Sequence, residues 1–305
     1  MISSPGNAPA RYVAYGLNIA SEYALSGPRS THRHEPPDVT IEAGRVDLHS
    51  VDGSLGVAPG IWASGRVLWF DVPDVAAFRV EDGRRIIVEG SPGADRAEIG
   101  LYLAGVALGT ILMQRGLLVL HGNAVRVGQS AVVCVGHSGS GKSTVAAEFA
   151  RRGYQVLSDD VAPVDDSGRA LPGIPRVRLT AEAMSALRFE TGGLRPTGPD
   201  VKYEYLLPEP SFATDAAPVR WVYVLTPGAS GPHIEEVQGM DRLIHLHAHT
   251  YRFGLLQAMG MEVSHLHACA DLARRANLAV VERSRADSCV EDVVDAILAD
   301  VKAHP

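Results

Sequence analysis

The spacing of apolar residues changes character along the chain. Between residues 11 and 95, short apolar runs alternate with turn signals such as Asp82-Gly83, a pattern that predicts strands joined by hairpins. Over residues 97–112 the apolar positions recur at helical spacing, which predicts a helix. We therefore predict a small mixed, mainly β N-terminal domain over residues 1–96 and a second domain over residues 97–305.

The second region alternates strand-like and helical patterns. Strands are predicted at LLVLHG, SAVVCVG, YQVLSDDVAPV, WVYVLTP and LAVVERS, and helices at KSTVAAEFARRG, 241–259, 264–277 and SCVEDVVDAILADVKA. The stretch 165–218 is rich in Pro, Gly and charge, and we predict loops there more than sheet. The predicted fold class is α/β, with an α+β N-terminal part.

Length, net charge and cysteine spacing limit the kinds of protein and of binding partner that fit this chain. With 305 residues and 46% hydrophobic content, the chain is long enough for one or two packed domains. Its net charge of −7 gives no general cationic field, so we expect neither nucleic acid nor an anionic membrane as a partner. The three cysteines lack CxxC spacing, which argues against disulfides or a thiolate zinc site and fits a reducing cytoplasm.

Two segments bear on export and membranes. Residues 1–12 have neither the basic start nor the apolar core of a secretory signal. The longest apolar stretch, 99–113, spans about 15 residues, fewer than the roughly 20 that cross a bilayer. We predict a buried helix there, in a cytoplasmic protein.

A glycine-rich loop carries the strongest chemical signal. Residues 136–143, GHSGSGKS, match the phosphate-binding pattern GxxxxGK[ST] between an apolar strand and an amphipathic helix. Its glycines let backbone N–H groups and the helix N-terminus face a polyphosphate. Lys142 is predicted to reach the β- and γ-phosphates, and Ser143 to bind Mg²⁺. The predicted ATP-binding residues are Gly136, Ser138, Gly139, Ser140, Gly141, Lys142, Ser143 and Thr144.

Two acids and a histidine follow apolar runs on either side of this loop. Asp159 and Asp160 end the run 154–157, where carboxylates beside a phosphate loop serve the metal or the nucleophile. A solvated acidic turn is the alternative. His121 follows the run 117–120 and acts as an acid or base only beside a partner, whereas a packed core or turn histidine is the plainer interpretation.

Together these segments resemble a known family. LLVLHGNAV, VCVGHSGSGKSTVAAEFARRGYQVLSDDVAPV and LPGIPRVRL are similar to the catalytic domain of HPr kinase/phosphorylase, whose core resembles ATP-dependent phosphoenolpyruvate carboxykinase. The resemblance implies a P-loop kinase catalytic domain over residues 97–305 that uses ATP and Mg²⁺. It implies that Asp159 acts as a base on a serine hydroxyl and that His121 modulates Asp159. It also implies that Ser143 and Asp160 hold Mg²⁺, while Lys142 takes part in catalysis.

The substrate that the resemblance implies is a peptide. The RxGRN-type signature of HPr kinases is missing, whereas RYVAYGLNIASE and the Gln-Arg-Gly lead into LHGNAV resemble the HPr-kinase-like proteins of lasso peptide biosynthesis. Members of that group phosphorylate a serine at the C-terminal end of the precursor peptide. The expected partner is thus a peptide or small protein with an acceptor serine, and a homo-oligomer is possible. The alternatives are an HPr kinase/phosphorylase, a P-loop ATPase or nucleotide switch, and phosphoenolpyruvate carboxykinase-like metabolism.

Further cationic and imidazole side chains are weaker candidates. A net-acidic chain must concentrate cations where phosphates bind, and the candidates are Arg176, Arg178, Lys202 and Arg252. Two HxH clusters suggest zinc, although no carboxylate or cysteine completes a recognised spacing; they comprise His245, His247, His249, His265 and His267. The alternative for these histidines is a packed or solvated helix.

Overall fold

The chain divides into two compact units, one of residues 1–116 with 254–262 and the other of residues 117–253 with 263–305. The computed structural model describes residues 9–27, 29–30, 35–48, 54–190, 194, 196–198, 201–228, 231–283 and 289–304. No secretory signal is predicted in residues 1–12, and residues 1–8 of that segment lie outside the described residues. The division differs from the predicted boundary at 96/97, because the helix that follows this boundary packs within the first unit.

The first unit contains an eight-stranded sheet in the order β1-β2-β3-β8-β7-β6-β5-β4. Its strands are β1 Ala10–Ala14, β2 Leu17–Ser21, β3 Val39–Ala43, β4 Leu55–Ala58, β5 Ile61–Ser64, β6 Val67–Val72, β7 Ala76–Glu81 and β8 Arg85–Gly90. β3 pairs in parallel with β2 and β8, and the other pairs are antiparallel. The predicted hairpin at Asp82-Gly83 joins β7 to β8, and both residues have positive φ, which suits such a turn.

One continuous helix completes this unit. It comprises α1 Arg96–Tyr102, a π-helical turn Leu103–Ala107 and α2 Leu108–Gln114. The Asp95 side chain accepts a hydrogen bond from the Ala97 backbone N–H and caps the N-terminus. By length and composition alone this helix could cross a membrane, yet 72% of its most apolar window is buried inside the protein. The predicted burial of 99–113 is therefore confirmed, as expected of a core helix.

The second unit is built around a mixed sheet in the order β10-β9-β12-β13-β17-β19-β18. Its strands are β9 Leu118–Val127, β10 Ser130–Val135, β11 Gln155–Ser158, β12 Val161–Val164, β13 Arg169–Ala170, β17 Ala217–Pro227, β18 His233–Glu236 and β19 Asn277–Arg283. β10 also pairs in parallel with β17, and β11 pairs with β9. The predicted strand YQVLSDDVAPV is thus two strands, β11 and β12, separated by Asp159 and Asp160.

Helices cover both faces of this sheet, which gives a mixed α/β fold. Its helices are α3 Lys142–Arg151, α4 Ala181–Ala186, α5 Asp241–Ala248, α7 Glu262–Arg275 and α8 Val290–Ala303. The remaining helix, α6 Phe253–Ala258, lies almost entirely in the segment 254–262 of the first unit. Alternate residues of β10 pack on opposite sides: Cys134 lies in one core with Phe149 of α3 and Val294 of α8. Val133 lies in the other core with Leu272 of α7.

Two predicted segments differ from the structure. The stretch 165–218, predicted as loops, contains a three-stranded antiparallel sheet of β14 Arg176–Leu179, β15 Pro196–Thr197 and β16 Lys202–Leu206, in the order β14-β16-β15. Its strands are short and separated by Pro and Gly, which hid their period in the sequence. The predicted helix 241–259 is broken after α5, because the His249 carbonyl accepts a hydrogen bond from the His121 N–H and Thr250 pairs with Leu120 of β9.

Candidate functional site

The glycine-rich loop joins the end of β10 to the N-terminus of α3. Gly136, Gly139 and Gly141 have φ values of 151°, 77° and 90°, a region that favours glycine. A Cβ at Gly136 would lie 2.6 Å from the Leu225 carbonyl oxygen, so the close approach of two strands also requires glycine there. Gly141 is the N-cap of α3 and has no side chain with which to cap it. The first N–H groups of α3 therefore lie at the end of an open loop.

Lys142 folds back over this loop. Its Nζ donates hydrogen bonds to the carbonyl oxygens of Gly136 at 2.8 Å and His137 at 3.0 Å. The residue is buried, with 8% exposed, and its own carbonyl accepts a hydrogen bond from Asn123 Nδ2. Burial lowers the pKa of Lys142, and the nearby charges of Asp159 and Asp160 oppose that change. The loop thus holds one cation close to the acidic pair.

Asp159 is joined to the start of α3. Its Oδ1 accepts a hydrogen bond from Ser143 Oγ at 2.9 Å, and its Oδ2 accepts one from the Arg178 backbone N–H at 3.1 Å. Burial raises the pKa of Asp159 to about 6, while the hydrogen bond from Arg178 acts in the opposite direction. Both carboxylate oxygens are therefore already engaged by donors from other elements.

Asp160 turns towards a different partner. Its backbone has a φ of 72°, uncommon for a residue with a side chain, and this conformation lies at the break between β11 and β12. His121 Nδ1 lies 3.5 Å from Asp160 Oδ1 and 3.3 Å from the Asp160 carbonyl oxygen. Burial, followed by the charge of Lys142, lowers the pKa of His121, and Asp160 opposes this. About a third of each side chain is exposed, 34% for His121 and 36% for Asp160.

These two pairings are the reverse of the expected ones. The resemblance predicts His121 beside Asp159 and Ser143 beside Asp160, whereas the structure pairs His121 with Asp160 and Ser143 with Asp159. The physical reason is the left-handed backbone at Asp160, which changes the direction of the chain between the two carboxylates. Neighbouring residues on a regular strand point to opposite faces, and here each face supplies a different partner.

The cationic candidates have separate surroundings. Arg176 is buried and forms an ion pair with Glu204 on the neighbouring strand, which gives it a structural partner. Arg178 Nη2 donates to the Thr197 carbonyl at 3.0 Å, while its backbone N–H holds Asp159. Lys202 lies near Asp159 and Lys142: burial raises the pKa of Asp159 and lowers that of Lys142, and the charge of Lys202 lowers both pKa values.

Arg252 borders the Asp160 side of the site. It is exposed, and its guanidinium lies 5.8 Å from the centre of the Tyr251 ring. That ring is in turn 5.9 Å from the His121 ring. Burial and then the charge of Asp160 raise the pKa of Tyr251 to about 12. Sequence reasoning missed Tyr251, because only the bridge from residue 250 back to β9 brings it beside His121.

The histidines of the two HxH clusters separate into packed and exposed groups. His249 is buried between His137 of the loop and His245, with ring centres 5.3 Å and 6.5 Å away. His265 Nε2 lies 2.8 Å from Thr250 Oγ1, and His267 is exposed. Among the residues that the structure describes, no group of three or more His, Cys, Asp or Glu side chains could hold a metal.

The residues around the loop fit a nucleotide with Mg²⁺. A buried Ser140 Oγ has no hydrogen-bond partner among the described residues, and it lies in the loop itself. Ser143 and Asp159 offer oxygen ligands of the kind that Mg²⁺ prefers, and Mg²⁺ needs few protein ligands because it keeps waters and binds substrate phosphates. Ser138 and Thr144 lie at the exposed crest of the loop and in the first turn of α3.

Comparison with known proteins gave one kind of match. No protein-family model and no curated protein matches the chain. Among solved structures, the chain is similar to the HPr(Ser) kinase/phosphatase from Coxiella burnetii, with a TM-score of 0.29 and 11% sequence identity. The match covers 54% of this chain and 78% of that chain. A structural likeness of this size does not show what the chain does.

Proposed function

We propose that the chain is an ATP- and Mg²⁺-dependent serine kinase with a P-loop core like that of HPr kinase. The observation that carries the proposal is the division between two adjacent acids beside the glycine-rich loop. Asp159 is bound to the Ser143 hydroxyl at the start of α3, whereas Asp160 faces His121 and solvent. Phosphoryl transfer to a hydroxyl uses a metal-holding group and a proton acceptor in neighbouring positions, and these two acids would supply both.

The nucleotide side of the site consists of the loop, Lys142 and the Ser143–Asp159 pair. On binding ATP, Lys142 Nζ would exchange the carbonyls of Gly136 and His137 for phosphate oxygens, which are stronger partners for an ammonium group. Ser143 and Asp159 would hold Mg²⁺. The bound ion would neutralise charge on the β- and γ-phosphate oxygens as the transfer proceeds.

Asp160 is our candidate for the proton acceptor, in place of Asp159. The oxygens of Asp159 already accept hydrogen bonds from Ser143 and Arg178, while the partly exposed Asp160 can be approached by an acceptor hydroxyl. In the step proposed, the serine oxygen forms a bond to the γ-phosphorus as the bond to the bridging oxygen of ADP breaks. The hydroxyl proton passes to Asp160, and His121 orients that carboxylate.

The acceptor we propose is the C-terminal serine of a peptide, and a lasso peptide precursor is the specific candidate. A terminal serine has a carboxylate next to its hydroxyl, and a cation near the proton acceptor would favour it over an internal serine. Lys202 lies near Asp159 and Lys142, and Arg252 lies over the Tyr251 ring, which neighbours His121. The sequence resemblance to HPr-kinase-like proteins of lasso peptide biosynthesis supports the same acceptor.

The test is transfer of phosphate to defined acceptors. We would incubate the chain with Mg-ATP and a precursor peptide ending in serine, with the same peptide ending in alanine as the matched control, and with HPr protein. The proposal predicts a gain of about 80 Da on the serine peptide alone, dependent on Mg²⁺ and abolished by chelator. Release of ADP and phosphate with no modified acceptor would instead support the ATPase alternative, and modification of HPr would support an HPr kinase.

A further inference from the structure

We infer that Arg283 is a positioning residue that sets the glycine-rich loop for nucleotide binding; this inference rests on the proposed function. Arg283 is the last residue of β19, far from the loop in sequence. Its Nη2 donates a hydrogen bond to the Ser140 carbonyl oxygen at 3.0 Å. Arg283 belongs neither to the glycine-rich loop nor to the acidic pair. It reaches the loop because β19 lies in the same sheet as the strand that precedes the loop.

Arg283 is anchored in the same sheet that carries the loop. Its strand pairs in parallel with β17, which pairs in parallel with β10, the strand that leads into the loop. Its carbonyl oxygen accepts a hydrogen bond from the Gly228 N–H at 2.7 Å. Strand pairing thus fixes the backbone of Arg283 relative to the start of the loop, and the guanidinium extends from this fixed backbone.

The hydrogen bond to Ser140 fixes the direction of a peptide group. In a planar trans peptide the C=O and the following N–H point in opposite directions. Holding the Ser140 carbonyl against Arg283 therefore turns the Gly141 N–H away from the guanidinium. The N–H groups of such a loop are the ones that bind phosphate oxygens, so their direction decides how well the loop binds an anion.

Close packing gives a second reason to connect Arg283 with the loop. The guanidinium lies so near Gly141 that a Cβ at that position would overlap Arg283 Nη2. Gly141 is constrained by its φ of 90°, and a side chain at this position would also displace the Arg283 guanidinium. The side chain also brings a positive charge within hydrogen-bonding distance of a loop that would hold a triphosphate.

The test is Mg-ATP binding and steady-state kinetics of R283A, R283Q and R283K, with R274A on the exposed surface of α7 as the matched control. We expect R283A and R283Q to raise the Kd and the KM for ATP about ten- to a hundred-fold, as for loss of a hydrogen bond to a charged group. At saturating ATP, kcat and the KM for the peptide should change little, and R283K should recover part of the affinity. R274A should match the wild type.

The outcomes separate this inference from the proposed function. Unchanged ATP affinity in R283Q, which retains much of the side-chain volume and guards against misfolding of R283A, would overturn the role of Arg283 alone. So would a fall in kcat and in the unfolding temperature without any change in the KM for ATP. A wild-type chain that binds no Mg-ATP would overturn the proposed function as well.

Discussion

The two units of the chain use left-handed backbone in different ways. In the unit of residues 1–116, several of these residues close turns between neighbouring strands, namely Tyr15-Gly16, Gly60, Gly65 and Asp82-Gly83. The unit of residues 117–253 with 263–305 also closes turns in this way, at Gly128 between β9 and β10 and at Gly168 between β12 and β13. In addition, the left-handed residues Gly136, Gly141 and Asp160 belong to the glycine-rich loop and the acidic pair beside Lys142. Left-handed backbone thus joins strands in both units, and in the second unit it also directs backbone and side-chain groups of the candidate site.

The second unit also buries more polar side chains than the first. Among the described residues, the first unit buries Ser21, Thr110 and Gln114, while the second buries Asn123, Ser140, Lys142, Glu148, Ser158, Arg176, His249, Thr250 and His265. Burying a polar group costs free energy unless a partner compensates for it. The second unit therefore carries most of the groups whose burial needs compensation. Five of these residues lie in or beside the loop and the acidic pair: Asn123, Ser140, Lys142, Ser158 and His249.

The largest effect we expect comes from Lys142→Ala. Loss of the ammonium group that lies over the loop should lower kcat/KM for phosphotransfer about 10²- to 10³-fold and weaken ATP binding. K302A, which removes an exposed lysine of α8, is the matched control and should leave both unchanged. Turnover and ATP affinity like those of the wild type in K142A would exclude the loop from the mechanism.

The glycines of the two units offer a direct contrast. Gly141→Ala must accept φ 90° and would displace the Arg283 guanidinium, so we expect ATP affinity to fall at least about tenfold. Gly65→Ala in the hairpin before β6 meets nothing within 4 Å. It should cost about 1 kcal/mol of unfolding free energy and leave ATP affinity intact. Titration calorimetry and denaturant unfolding of both variants measure this, and equal effects on ATP binding would remove the contrast.

A smaller effect concerns stability in acid. Burial lowers the pKa of His249 and of His265 to about 4 each, with the charges of His137 and His247 as the next causes. Since the unfolded chain takes up these protons first, near pH 6.5, stability present above that pH should be lost as pH falls towards 4. The loss should be on the order of 2 kcal/mol per group. H265Q should flatten the decline in unfolding free energy, whereas H267Q, at an exposed histidine, should not.

Local patterns made part of this site predictable. The glycine spacing and the apolar run after it predict a loop followed by a helix, and α3 confirms the helix at Lys142–Arg151. Both signals depend on neighbouring residues, which a sequence displays directly. The buried strand before Asp159 is likewise visible as an apolar run, and β11 lies there.

Other parts of the site depend on contacts between distant segments. Arg283 and Tyr251 reach the loop and His121 through strand pairing that no local pattern indicates. The exchange of partners between Asp159 and Asp160 depends on one left-handed residue, and no local sequence signal shows which of two adjacent aspartates adopts that conformation. The small sheet of β14 to β16 was hidden for a different reason, since Pro and Gly separate its short strands.

The division of work between Asp159 and Asp160 is the central claim, and a Mg²⁺ titration of single-turnover phosphotransfer tests it most directly. We predict that Asp159→Asn raises the Mg²⁺ concentration for half-maximal rate, because Asp159 shares its site with Ser143. Asp160→Asn should keep the wild-type Mg²⁺ requirement and lower the rate at saturating Mg²⁺ about 10²- to 10⁴-fold. The reverse pattern, with the rate lost in D159N and the Mg²⁺ requirement raised in D160N, would contradict the assignment.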